Sequence, residues 1–249
     1  MKIMVAGAIE DLERLHVGCA DMAVEMLKRA GADAFRSLDP ADLDGCGGLL
    51  IPGGIPNIHP SYCGEENTES RGIDEELDKV QYEIIRKAID RRMPIMGICR
   101  GMQFVSMFFG AKTIQDIKNG AHKFDPDDLR HHEAWSVPGS FFEELYGPSM
   151  TVNSAHHQAL RTVPEGLRVA QLWCEDPAQL PEKLKQAAEG TLRELDSSCI
   201  AEAVYHESYP FIATQWHPEL DVVWDKSLFD ETPIARYFLE MVRKYEEEK

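Results

Sequence analysis

The feature that most narrows the choice of fold is an apolar run that ends on small residues and passes straight into a helical pattern. It is PIMGICRGMQFVSMFFG, residues 94–110. A short continuous run of this kind reads as a strand buried on both faces, and such strands belong to parallel sheets covered by helices. The same alternation runs through the preceding residues. KIMVAGAI (2–9) reads as a first strand, and residues 18–30 carry helix formers with a spaced apolar face that stops at Gly31. ADAFRSL (32–38) is a short second strand, and GGLLIPGG (47–54) is a buried strand ending in a glycine turn.

Residues 56–72 are polar and rich in breakers, which predicts a surface loop. Residues 74–92 place Leu77, Val80, Ile84, Ile85, Ala88 and Ile89 on one helical face. Strand, helix, strand, helix in this order predicts an α/β fold with a mostly parallel central sheet. Sites in such folds gather at the carboxyl ends of the strands, here the loops after Ile51 and Ile98. Beyond residue 111 the pattern is mixed. VPEGLRVAQLW (163–173), IAEAVY (200–205) and FIATQW (211–216) read as antiparallel strands of the same body, with a helical insertion around 175–196 between the first two. A last helix is predicted over about 233–246. No flexible linker divides the chain, so residues 1–249 are expected to form one domain.

Forty-three acidic against 26 basic residues give a formal net charge of −17. That balance argues against a nucleic-acid backbone or an anionic membrane as partner. The cysteines at 19, 46, 63, 99, 174 and 199 form no CxxC pair, and a chain of this length needs no disulfide staples. They are expected to be mostly free thiols. The start, MKIMVAGAIEDLERL, is not a secretory signal, and a cytoplasmic protein is the expectation.

A cysteine inside a buried strand is ordinarily inert. Around Cys99, however, Gly97 and Gly101 make the pattern G-x-C-x-G. A nucleophile at a strand-to-helix corner needs small neighbours so that the backbone can turn sharply. The helix N-terminus beside it favours the thiolate. A core thiol is the competing reading from this stretch alone. A nucleophile also needs a base and donors for the oxyanion. His217, in QWHPE, follows the apolar strand FIATQW, and Glu219 stands one proline further on, placed to orient the imidazole. The oxyanion donors would be backbone N–H groups of Arg100 and of Gly53 or Gly54. A surface histidine at a strand end and an ordinary glycine turn are the bland alternatives.

The pairs His131–His132 and His156–His157 have poor spacing for a metal motif, and there is no HExxH or CxxC partner. No metal and no cofactor are expected. His131 and His132 are placed in an acidic loop bordering the pocket or in solvent. The Arg100 guanidinium has two readings, a contact to a substrate carboxylate or a salt bridge to Asp78 or Asp116. Phosphate-binding glycine motifs are missing, so nucleotide binding has no support.

Four ordered motifs, ICRGMQ, FGAKTIQDI, VNSAHHQ and QWHPE, give the chain a resemblance to the class I glutamine amidotransferase superfamily. More narrowly it resembles the γ-glutamyl-γ-aminobutyrate hydrolase group, peptidase family C26, on Arg100 after the cysteine, Gln115–Ile117, and the His156–Gln158 triplet. The resemblance implies a flavodoxin-like three-layer α/β fold and a cysteine amidase site. Cys99 would attack a γ-glutamyl amide, His217 would shuttle the proton, and Glu219 would orient His217. Gln103, Asn153, Ser154, His156, His157 and Gln158 would grip the glutamyl end. The chain departs from the group's pattern in EELDKVQ (75–81), in the glycine pair at 53–54 and in the long 175–196 stretch. The departures bear on which amine leaves. The implied partner is a small γ-glutamyl substrate; a homodimer is one candidate assembly, and the sequence leaves the oligomeric state open. One alternative is a glutaminase subunit that feeds ammonia to a separate synthetase. Another is a non-catalytic binding protein on the same scaffold.

Overall fold

A computed structural model describes residues 1–7, 19–118, 122, 130–222 and 232–249. Its first half follows the predicted alternation. β1 (Lys2–Val5) leads to α1 (Cys19–Arg29), β2 (Asp33–Arg36) and β3 (Gly48–Ile51); α2 (Glu75–Asp90), β4 (Ile95–Ile98) and α3 (Arg100–Phe108) follow. Residues 8, 9 and 18 of the predicted first strand and first helix lie outside the described residues. Asp74 caps α2, its carboxylate accepting the Leu77 N–H. The 56–72 loop contains one short 3-10 turn, Pro60–Cys63.

The second half is richer in strands than the sequence suggests. β5 (Thr113–Ile114), β6 (Arg130–Ser136), α4 (Phe141–Tyr146), β7 (Ser149–Ser154) and β8 (Ala159–Leu160) precede β9 (Leu167–Cys174). A 3-10 turn at Pro177–Gln179 and α5 (Leu180–Glu189) fill the predicted helical stretch. β10 (Cys199–His206), β11 (Phe211–Thr214) and α6 (Thr232–Glu247) complete the chain.

Among the described residues, nine strands form one sheet in the order β2-β1-β3-β4-β11-β10-β9-β6-β7, and β5 and β8 pair separately. The five strands from β2 to β11 are parallel, and the β10, β9, β6 and β7 extension is antiparallel. The antiparallel part is larger than the sequence suggests, and the parallel part carries the site. Alternate residues of the parallel strands enter opposite layers. Met4, Leu49, Ile51 and Ile95 pack with α2 and α3, while Ile3, Val5, Leu50, Met96 and Ile98 pack with α1 and α6. Helices thus cover both faces, giving the three-layer arrangement.

Two sequence expectations change here. His131 and His132 lie in β6, paired with Asn153 and Val152 of β7, and not in a loop. The polar run RHHEAWS forms a strand because β7 and β9 supply its hydrogen-bonding partners. Cys174 and Cys199 stand directly opposite each other on β9 and β10 and are joined in a disulfide. Register brings them together across 25 residues, which spacing along the chain does not reveal. Cys46, Cys63 and Cys99 keep free thiols.

Candidate active site

β4 ends at Ile98 and α3 begins at Arg100, so Cys99 alone makes the corner. Its φ of 50° lies in the left-handed region, where only one other non-glycine residue is found among those described, Arg92. Such a conformation is strained for a residue with a Cβ and persists only where its surroundings impose it. The imposing contacts are visible. A Cβ on Gly97 would sit 2.8 Å from the Gly101 carbonyl, and one on Gly101 would collide with the Ile51 carbonyl oxygen. Both neighbours therefore have to be glycine for α3 to start this close to β3 and β4. The Cys99 N–H donates to the Thr214 carbonyl at 2.7 Å, tying the corner to β11.

β11 delivers His217 to the same edge. The His217 imidazole and the Cys99 Cβ both face Gly53: a Cβ there would lie 2.5 Å from His217 Cε1 and 3.5 Å from Cys99 Cβ. His217 Nδ1 and Glu219 Oε1 are 2.7 Å apart, and both residues are buried. Burial opposes the imidazolium, but the Glu219 carboxylate, then Cys99, raise the His217 pKa well above its ordinary value. Side-chain hydrogen bonds from the imidazolium to the Cys19 and Cys99 sulfurs act in the same direction. Nδ1 faces Glu219, which leaves Nε2 as the nitrogen for proton transfer.

Asn153 fixes the main chain of His217 at both ends. Its Oδ1 accepts the His217 N–H at 2.9 Å and its Nδ2 donates to the His217 carbonyl at 2.8 Å. The sequence places Asn153 against the substrate; in the structure its amide is committed to the histidine. Cys19, at the start of α1, is a residue that sequence reasoning missed. Its sulfur and one ligand atom each of His217 and Glu219 lie within 4.8 Å of one another. No motif marks Cys19, because α1 is brought there only by packing.

Arg100 plays two parts. Its main-chain N–H is the first of α3 and has no intrahelical acceptor. Its buried guanidinium pairs with Asp78 and Gln81 and donates to the Pro56 carbonyl at 2.8 Å. Burial pushes the Asp78 carboxyl up and the Arg100 guanidinium down, and their mutual attraction opposes both shifts. Asp78 also accepts the His59 N–H at 2.8 Å, so the pair anchors the loop after β3, which carries Gly53 and Gly54, to the cysteine corner. Asp116 instead meets His157 at 3.2 Å and Arg71 at 3.3 Å.

The remaining residues expected around the glutamyl end form a connected wall. Gln103 Nε2 donates to the Gln158 carbonyl at 3.0 Å and to Gln215 Oε1 at 3.1 Å. Gln158 Nε2 donates to Ser70 Oγ and to the Gln115 carbonyl, both at 2.9 Å. His157 Nε2 faces the Asn57 amide at 3.0 Å, and Ser154 Oγ faces His122 Nδ1 at 3.2 Å. His156 is buried with its Nδ1 3.0 Å from the Gln158 carbonyl, and burial lowers its pKa to about 3.

A doubly covered sheet with a strained cysteine at one strand end and a His-Glu pair at the next defines a class I glutamine amidotransferase-like protein. Comparison with known proteins agrees: the model of the Peptidase C26 family matches residues 38–177, and the chain belongs to that family. The γ-glutamyl-γ-aminobutyrate hydrolase PuuD of Escherichia coli K12 is 28% identical over 201 residues, covering 72% of this chain and 65% of that protein. A glutamine-hydrolyzing GMP synthase subunit of Thermoplasma acidophilum is 27% identical over 204 residues, covering 79% and 76%. The crystal structure of a glutamine amidotransferase from Thermotoga maritima shares the fold, with a TM-score of 0.58 at 13% identity over 98% of this chain and 96% of that one. The chain spans less than two thirds of the length of several curated relatives that it matches.

Proposed function

We propose that the protein is a cysteine hydrolase that cleaves the γ-glutamyl amide of a small amine conjugate, such as γ-glutamyl-γ-aminobutyrate, to glutamate and the free amine. The observation that carries this reading is Cys99 held at φ 50° on the strand-to-helix corner, beside an imidazole bound to a buried carboxylate. In the proposed reaction His217 takes the Cys99 proton and the sulfur attacks the amide carbon, whose C–N bond then breaks. Main-chain N–H groups of Arg100 and of Gly53 or Gly54 receive the negative oxygen. His217 gives its proton to the departing nitrogen, leaving a γ-glutamyl thioester. Water, deprotonated by His217, then releases glutamate and restores the thiol. Glu219 holds the imidazole in the tautomer this requires.

Gln103 and the 153–158 segment are assigned the wall of the glutamyl pocket, with Asn153 acting on substrate through His217. The chain is read as one hydrolase domain that works in the cytoplasm in conjugate breakdown. Among the described residues, no helix is long and apolar enough to cross a membrane. The likeness to the Thermoplasma GMP synthase protein favours a second reading, a glutaminase that delivers ammonia to a separate synthetase.

Glutamate release from γ-glutamyl-γ-aminobutyrate, γ-glutamyl-putrescine, γ-glutamyl-spermidine and glutamine tests the two readings, with Cys99→Ala as the blank. Fast turnover of one conjugate and little of glutamine is the expected result. Turnover of glutamine alone, rising on addition of a synthetase, would favour the second reading. Failure with all four would count against both.

A further inference from the structure

A separate set of titratable side chains meets in the interior between β6, β10 and the turn after β7. His122 and Glu202 are fully buried, and His132 and His156 nearly so. His132 Nε2 lies 3.0 Å and His122 Nδ1 3.8 Å from the same oxygen, Glu202 Oε1. One ligand atom from each of the three lies within 4.8 Å of the other two. The His156 ring centre is 4.8 Å from that of His122, and the Trp173 ring closes the other side at 4.4 Å. Among the described residues, His122 Nε2, His132 Nδ1, His156 Nε2 and Glu202 Oε2 have no hydrogen-bond partner. These are the other nitrogen of each imidazole and the other carboxylate oxygen; the atoms that converge are His122 Nδ1, His132 Nε2 and Glu202 Oε1. A buried ionisable cluster this short of partners is costly and calls for an explanation.

We propose that His122, His132 and Glu202 form a binding site for a divalent transition-metal ion, with Zn²⁺ the best match, and that His156 is the nearest further ligand. The donor chemistry selects the metal. Two imidazole nitrogens and one carboxylate oxygen suit zinc, whereas calcium and magnesium favour oxygen ligands. Tetrahedral ligands about 2.1 Å from zinc stand roughly 3.4 Å apart; the two imidazoles stand 3.0 and 3.8 Å from Glu202 Oε1, and all three ligand atoms lie within 4.8 Å of one another. The site is structural in this account. Ser154 touches His122, its neighbour Asn153 holds His217, and the Glu202 carbonyl accepts the Gln215 N–H at 2.8 Å. A bound ion would therefore brace the wall behind the active site. Adjacent-histidine spacing conceals the site, because its ligands come from three separate parts of the chain.

The test is metal retention by the full chain. Protein stripped with a chelator is equilibrated with Zn²⁺, desalted and analysed by mass spectrometry for metal; Co²⁺ loading is read from visible d–d bands. Wild type and Cys19→Ala should each retain about one zinc per chain, with a rise in Tm on loading. Glu202→Gln and His132→Asn should lose both the zinc and the Tm rise. The second variant lies on β6, one strand in from the sheet edge, and serves if Glu202→Gln fails to fold. Three results would overturn the proposal: no zinc kept by wild type, zinc kept equally by both variants, or zinc lost only in Cys19→Ala. The last would place the ion at the Cys19–His217–Glu219 group instead.

Discussion

Gly53→Ala is expected to disable the site while leaving the fold. Gly53 lies outside the left-handed region, so alanine meets no backbone objection. The whole effect then comes from the added Cβ, 2.5 Å from His217 Cε1 and 3.2 Å from its Nδ1. Ordinary carbon contacts lie at about 3.5–4.0 Å, so the ring must retreat by roughly 1 Å. It cannot do so freely: Nδ1 is tied to Glu219 at 2.7 Å, and Asn153 clamps the main chain on both sides. A misplacement of about 1 Å in a catalytic group costs on the order of a hundredfold, or about 2.7 kcal/mol of barrier. Stability should move far less, by about 1 kcal/mol, because alanine also restrains the unfolded chain. The assay is steady-state glutamate release on the best conjugate of the panel, alongside a thermal melt. The expected result is a fall in kcat of about a hundredfold with KM and Tm close to wild type. A folded Gly53→Ala protein with kcat within about twofold of wild type would refute the idea that His217 must sit against Gly53.

The buried Arg100–Asp78 pair makes the opposite forecast. Asp78→Ala strips a buried guanidinium of its partner and should destabilise by about 3–5 kcal/mol in urea unfolding; an unchanged midpoint would show that the loop needs no such anchor. Glu219→Gln removes the carboxylate that raises the His217 pKa. On the proposed mechanism, in which the His217 imidazolium protonates the leaving amine, that form is then lost at lower pH, so the alkaline limb of kcat/KM should move down from its wild-type position. The same raised pKa adds stability below the ordinary histidine value of about 6.5, and that stability is lost as pH rises through the raised value. Glu219→Gln should shrink this contribution, visible as a flatter Tm against pH, and an unmoved alkaline limb would contradict the assignment.

The parallel half of the fold was legible because each of its strands carries enough apolar residues to be buried on both faces. Cys99 could be read from its two glycines, since the chain can turn that tightly only where neighbouring backbones lack side chains between them. His217 and Glu219 followed from their place at the end of an apolar strand. The antiparallel extension was less legible. β6 exposes alternate residues and reads as a polar loop until β7 and β9 are beside it. Asn153, Cys19 and the Cys174–Cys199 bond depend on register and packing between distant segments, which leave no local spacing to find. His122 and Glu202 were hidden for the same reason: a buried charge takes its meaning from what surrounds it.

The central claim is that Cys99, not the nearby Cys19, is the nucleophile. A glutamine-like electrophile added to the native protein, followed by peptide mass mapping, tests it directly. One adduct per chain on Cys99, abolished in Cys99→Ala and undiminished in Cys19→Ala, is the predicted result. An adduct on Cys19, or Cys99→Ala protein that still releases glutamate at the wild-type rate, would contradict the account.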